Sequence, residues 1–151
     1  MLIDADRHHQ TSFFGTDLLQ QLDPSDALVL LADAIPWRHF EQAFSHHYSA
    51  SKGRPSHPIR KLVGLLILKQ LESLSDEEVV LQWKRNPYYQ YFCGMTFFQN
   101  KPPCHSTELV KFRQRIGSSG VEEIFKVSVA LHGDTICLLY TSDAADEAKC
   151  V

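Results

Sequence analysis

The residues best suited to chemistry in this chain are cationic. Lys111-Phe112-Arg113-Gln114-Arg115 places three positive side chains and a glutamine side by side. On a helix, Lys111 and Arg115 are four residues apart and share a face, opposite the apolar positions Leu109, Phe112 and Ile116. Such a face can neutralise phosphates, and Arg113 or Arg115 with Gln114 can hydrogen-bond base edges. Ser106 and Thr107, just upstream, can bond phosphate oxygens. Arg60-Lys61 and Lys84-Arg85 add two more cationic pairs. The candidate DNA-binding set is therefore Arg60, Lys61, Lys84, Arg85, Lys111, Arg113, Gln114 and Arg115. The competing reading of the same pattern is an amphipathic helix whose charges are simply solvated.

Other chemistries find less support. His8-His9, His46-His47 and His57 lack the i, i+4 spacing of helical metal ligands. Cys93 with Cys104-His105 supplies three ligands at most, one short of a structural zinc site. Asp76-Glu77-Glu78 sits where acids favour a helix dipole, which explains it more simply than a metal pair would. No glycine-rich phosphate loop and no Ser/His/Asp order is present. The expectation is no catalytic residue, no metal ligand and no cofactor within these residues.

Charge is distributed unevenly along the 151 residues. Residues 1–51 carry two basic and seven acidic side chains, net −5; residues 52–116 carry eleven and five, net +6; residues 117–151 carry two and six, net −4. A basic middle between acidic ends points the middle toward a polyanion. The longest apolar run, Leu62-Val63-Gly64-Leu65-Leu66-Ile67-Leu68, is far short of the roughly 20 residues that cross a bilayer. The acidic start, Met1-Leu2-Ile3-Asp4-Ala5-Asp6, lacks the basic flank of a signal peptide. A cytoplasmic protein with free thiols and no membrane partner is expected.

The elements that must position the cations read as helices. Asp23-Pro24 is suited to open one, with Leu28, Leu31 and Ile35 on its inner face. Pro36 starts a second, on which Trp37, Phe40, Phe44 and Tyr48 form an aromatic stripe. The most apolar helix spans about 58–72, and Gly64 would admit a close neighbour to it. Ser75-Asp76-Glu77-Glu78 is a capping box opening a helix that ends near Asn86, before Pro87. The short connection at Ser73-Leu74 between these two helices gives a helix-turn-helix spacing. Pro87 starts a short helix with Tyr88, Tyr91 and Phe92 inward and Gly94 as left-handed cap. Ser106 or Thr107 caps the basic helix, Gly117 ends it, and a second capping box at Ser119–Glu122 opens a last helix to about residue 132. The fold class is all-α, a compact bundle of six or seven short helices over residues 1–133. Residues 134–151 are expected to be a disordered or artefactual tail, since Cys137 to Glu147 resembles translated sequencing-adaptor read-through.

Several ordered blocks carry a resemblance. His57-Pro58-Ile59-Arg60-Lys61-Leu62, Leu66-Ile67-Leu68-Lys69, Leu74-Ser75-Asp76-Glu77-Glu78, Asn86-Pro87-Tyr88-Tyr89-Gln90-Tyr91-Phe92-Cys93-Gly94 and Ser106 through Gly117 resemble the N-terminal domain of InsH-like bacterial insertion-sequence transposases. Ala34-Ile35-Pro36-Trp37 ahead of Phe40-Glu41 fits the same pattern, so the resemblance covers roughly residues 10–133. It implies a region that recognises double-stranded DNA at transposon ends, with a homodimer as a further partner to look for. It also implies a catalytic core of the DDE type, with three acidic residues and divalent metal such as magnesium, that lies outside this sequence. Asp134-Thr135 follows a helix rather than a strand and is not expected to be catalytic. The alternative role is subunit assembly without DNA contact, through aromatic surface around Trp83, Tyr88 and Tyr89.

Overall fold

The structure is a computed structural model that describes residues 17–48 and 57–143, with side chains described as far as residue 131. Among the described residues there are seven helices and no strand: α1 Leu18–Gln21, α2 Ala27–Ala34, α3 Trp37–Phe44, α4 Ile59–Leu71, α5 Asp76–Arg85, α6 Pro87–Phe92 and α7 Ser106–Asp143. A 3₁₀ turn, Ser45–His47, follows α3. The expected all-α class is what forms.

Helix α4 is the centre. Every residue from Leu62 to Leu68 is buried, because other elements wrap it on all sides. α3, α5 and α7 pack on it, and α2 bridges α6 and α7. The aromatic stripe of α3 enters this core as the spacing requires. Phe40 and Phe44 are buried and stacked, the Phe44 ring meets Phe112 edge-on at 6.0 Å, and Trp37 meets Phe92 at 5.3 Å. The Trp37 indole N–H donates to the Ala32 carbonyl at 2.8 Å, so its burial leaves no donor unpaired.

The termini of these helices follow local chemistry, with several corrections to the sequence reading. α2 begins at Ala27, and its cap is Asp26, whose carboxylate accepts from the Leu28 amide at 2.9 Å. Asp23 instead closes a turn on Ser25, accepting from that residue's amide and hydroxyl. α7 is capped by neither Ser106 nor Thr107: the His105 imidazole Nδ1 accepts from the Thr107 amide at 3.3 Å. The box expected at Ser119–Glu122 does not form. α7 breaks at Gly117 (φ 73°, ψ 177°) and resumes at Ser118, so Ser119 lies inside the first turn of the second segment rather than ahead of it as a cap. The Ser75–Glu78 box is present in both directions, at 3.1 and 2.8 Å. In α6 the buried tyrosine is Tyr89, while Tyr88 and Tyr91 are half-buried. The backbone of α7 stays helical to Asp143, past the boundary expected at residue 133, and residues 144–151 lie outside those described.

The α4–α5 connection closes by a Schellman turn. The Leu74 amide bonds the Lys69 carbonyl at 2.9 Å, and Ser73 takes the left-handed conformation at φ 53°. A side chain pays about 1 kcal/mol or more there, and glycine does not. Ser73→Gly is therefore expected to stabilise the chain by about 0.5–1 kcal/mol, net of the extra freedom glycine has when unfolded. A higher urea midpoint at unchanged denaturant slope would show it; an unmoved midpoint would refute it.

Candidate nucleic-acid interface

The first segment of α7, residues 106–116, has three faces. Leu109, Phe112 and Ile116 are buried against α4 and its neighbours. Lys111 and Arg115, four residues apart, are exposed on a second face. Val110 and Gln114 are exposed on a third. Among the described residues the Lys111 ammonium reaches Glu108, at 3.4 Å and mostly in solvent, a contact worth well under 1 kcal/mol. The Arg115 guanidinium lies 5.1 Å above the Tyr48 ring, and burial raises the Tyr48 hydroxyl's pKa. The ring thus holds Arg115 in place while the residue stays exposed, a state that favours contact with an anion without a large ordering cost.

Lys84 and Arg85 form a second exposed cationic pair, at the C-terminal end of α5. The other end of α5 begins with Asp76-Glu77-Glu78. In a helix-turn-helix the leading residues of the second helix approach the bases, and three carboxylates there would face the phosphates. α4 and α5 have the connectivity of that motif, and the charge of α5 runs against its use.

The remaining three cations of the set are engaged within the protein. Arg113 is half-buried, and its two terminal nitrogens bond both oxygens of Asp76 at 2.7 and 2.8 Å. Lys69 adds a third contact to Asp76 at 3.1 Å, so one carboxylate ties α4, α5 and α7 together. The Arg113 guanidinium beside it holds the Asp76 carboxyl down at about 2. Arg60 is half-buried, with its guanidinium 4.7 Å over the Trp37 ring and its stem against Gly94. Burial lowers the Arg60 pKa, and its Nε has no hydrogen-bond partner among the described residues. Lys61 is half-buried, near the Cys93 and Cys104 thiols.

Those thiols are free and buried, and burial pushes Cys93 up to about 12 and Cys104 up to about 11. Both stay protonated near neutrality, a poor state for a nucleophile or a metal ligand. Among the described residues no three His, Cys, Asp or Glu side chains converge on a common point. Nor is any described helix long and apolar enough to cross a membrane. Trp83 and Tyr89 are 1% and 7% exposed, so two of the three aromatics suggested for subunit contact are committed to the core.

One residue that organises this region was not marked as functional by its sequence context. Gln90 is fully buried; its amide donates to the Trp83 carbonyl at 3.1 Å and the Gln99 carbonyl at 2.8 Å, and its oxygen accepts from the Gln99 amide at 2.6 Å. It pins the loop that delivers the chain to α7. An isolated glutamine between tyrosines carries no signal of that role.

Comparison with known proteins places this geometry in a context. The chain is 47% identical over 108 residues to the uncharacterized protein ORF8 in the nfe locus of Rhizobium meliloti, an alignment covering 72% of this chain. It spans about half, 52%, of that relative's length. No solved structure matches. Residues 16–115, which hold α1 to α6 and the basic face of α7, match the family model described as Transposase domain (DUF772). The chain belongs to that transposase domain family.

Proposed function

We propose that the chain is the DNA-binding N-terminal region of an InsH-like insertion-sequence transposase of the DDE type, recognising transposon-end DNA. The observation that carries this reading is the second face of α7: Lys111 and Arg115 are exposed and displayed by a segment whose opposite side is locked into the core. Lys84 and Arg85 supply a further phosphate contact surface at the end of α5. Gln114, on the adjoining exposed face, is the residue for base edges. Arg113, Arg60 and Lys61 support this surface from within. Strand cutting and joining, and the divalent metal they need, belong to a catalytic core beyond these residues.

A salt titration of the full chain on a labelled duplex tests the proposal. Phosphate neutralisation releases counterions, so affinity should fall linearly with log salt. In the variant Lys84→Ala, Arg85→Ala, Lys111→Ala, Arg115→Ala the slope should shrink by about three to four, close to one per phosphate contact removed. Binding that is flat with salt, or a variant that binds like the parent, would sink the proposal.

A further inference from the structure

Phe98 is 50% exposed, in the loop that joins α6 to α7. A single exposed apolar side chain is ordinary on a protein surface. What sets this one apart is how its backbone is held. On one side the Leu18 amide donates to the Thr96 carbonyl at 2.8 Å. On the other, both backbone groups of Gln99 bond the side chain of the buried Gln90, at 2.6 and 2.8 Å. Pro103 and Cys104 are buried a few residues on. The ring is shown to solvent by a backbone fixed on both sides, so a ligand that meets it pays little to order the loop.

The same glutamine decides what surrounds the ring. Its amide also donates to the Trp83 carbonyl at 3.1 Å and lies 3.5 Å from the Lys84 carbonyl. That brings the loop to the C-terminal end of α5, where Lys84 and Arg85 are exposed. Lys101, three residues past Phe98, is exposed as well, and so are the amide residues Gln99 and Asn100. From Val79 to Thr107 the sequence holds Lys84, Arg85 and Lys101 and no aspartate or glutamate. One ring among amides and cations does not match the centre of a protein–protein interface, where charged side chains are depleted. It does match a nucleobase, whose face is apolar, whose edge takes hydrogen bonds and whose strand is anionic. Inside a duplex the base faces are covered by neighbouring pairs, so a ring can stack only on a base that has left the stack.

We propose that Phe98 is a stacking platform for an unpaired base of DNA, with Lys84, Arg85 and Lys101 holding the phosphates of its strand. This role for Phe98 rests on the DNA reading and narrows it, from duplex alone to duplex that carries unpaired bases.

The test is binding of the full chain to two labelled DNAs, a blunt duplex and the same duplex extended by a short single-stranded tail of either polarity. Replacing a stacking ring by alanine costs about fivefold to over a hundredfold in affinity per base. The parent is therefore expected to prefer the tailed DNA by about fivefold or more. Phe98→Ala should bind both DNAs as the parent binds the blunt one. Phe98→Tyr should keep the preference, and Phe98→Leu, which keeps apolar bulk without an aromatic face, should lose it. Because the side chain is half in solvent, all three variants are expected to keep the parent's circular dichroism and urea midpoint. A parent with no salt-dependent affinity for either DNA overturns the DNA reading and the role of Phe98 together. A parent that binds the blunt duplex with the expected salt slope, yet shows no preference for the tail, overturns the role of Phe98 alone. So does a preference that survives in Phe98→Ala or Phe98→Leu.

Discussion

Gly64→Leu is expected to cost the chain about 3 kcal/mol of stability or more, the largest single effect predicted for it. Gly64 lies mid-way along α4, where the C-terminal end of α6 crosses. A β-carbon built there would stand 2.8 Å from the Cys93 sulfur and 3.3 Å from the Cys93 α-carbon, with the Phe92 ring at 3.5 Å. Glycine in a helix interior gives up about 1 kcal/mol relative to alanine, so the residue is present against local propensity. The close approach it permits outweighs that loss. Even Gly64→Ala is expected to destabilise, by about 1 kcal/mol net, since overpacking a filled core costs about 1–3 kcal/mol. The cause can be isolated by a double-mutant cycle with Cys93→Ala. Removing the sulfur gives the new methyl group room, so Gly64→Ala should cost less in the Cys93→Ala background, with a coupling of about 1 kcal/mol. Urea melts of the four chains measure it. Additive losses would mean that the Cys93 sulfur is not what limits the approach of α6 to α4.

This crossing also shows where sequence was informative. Gly64 stands out as a glycine inside an apolar helix, and the close approach follows from that alone. The Ser75–Glu78 box, the left-handed Gly94 and the break at Gly117 are equally local: each needs only residues three or four apart, and each is present. Choices between neighbouring candidates were not legible in the same way. Asp23 and Asp26 can both cap, and the one three residues further on does, because Asp23 is spent on Ser25. His105, rather than Ser106 or Thr107, caps α7, because it stands just ahead of the first helical residue and its Nδ1 reaches the Thr107 amide two positions on. For the candidate interface, the helical spacing correctly separated the buried face of α7 from the Lys111–Arg115 face. It could not say which cations are taken. Arg113 and Asp76 are 37 positions apart in sequence, and only the packing of α5 on α7 brings them together.

Asp76→Asn is expected to remove about 1–2 kcal/mol at neutral pH, and its dependence on pH should identify the cause. An isolated surface pair would contribute less than 1 kcal/mol. Here the carboxylate is one-fifth exposed, takes both arms of Arg113, and also holds Lys69. Removing its charge leaves two half-buried cations facing each other without an anion between them. The sign follows from the direction of the shift. The Asp76 pKa is lowered on folding from 3.8 to about 2, so its contribution is fully present above pH 3.8 and is lost as pH falls toward 2. The stability gap between parent and Asp76→Asn should therefore be constant near neutrality and close between those limits. A gap that persists at the acid end would assign the loss to packing rather than to charge. The same clamp decides what Arg113 does. If its guanidinium is held by Asp76, Arg113→Ala should lower stability by a similar amount and leave the salt slope of DNA binding nearly unchanged. A base-reading Arg113 would give the reverse, with stability kept and sequence discrimination lost. Measuring both quantities on one variant separates the residue that supports the surface from those, Lys111 and Arg115, that the proposal places on the DNA.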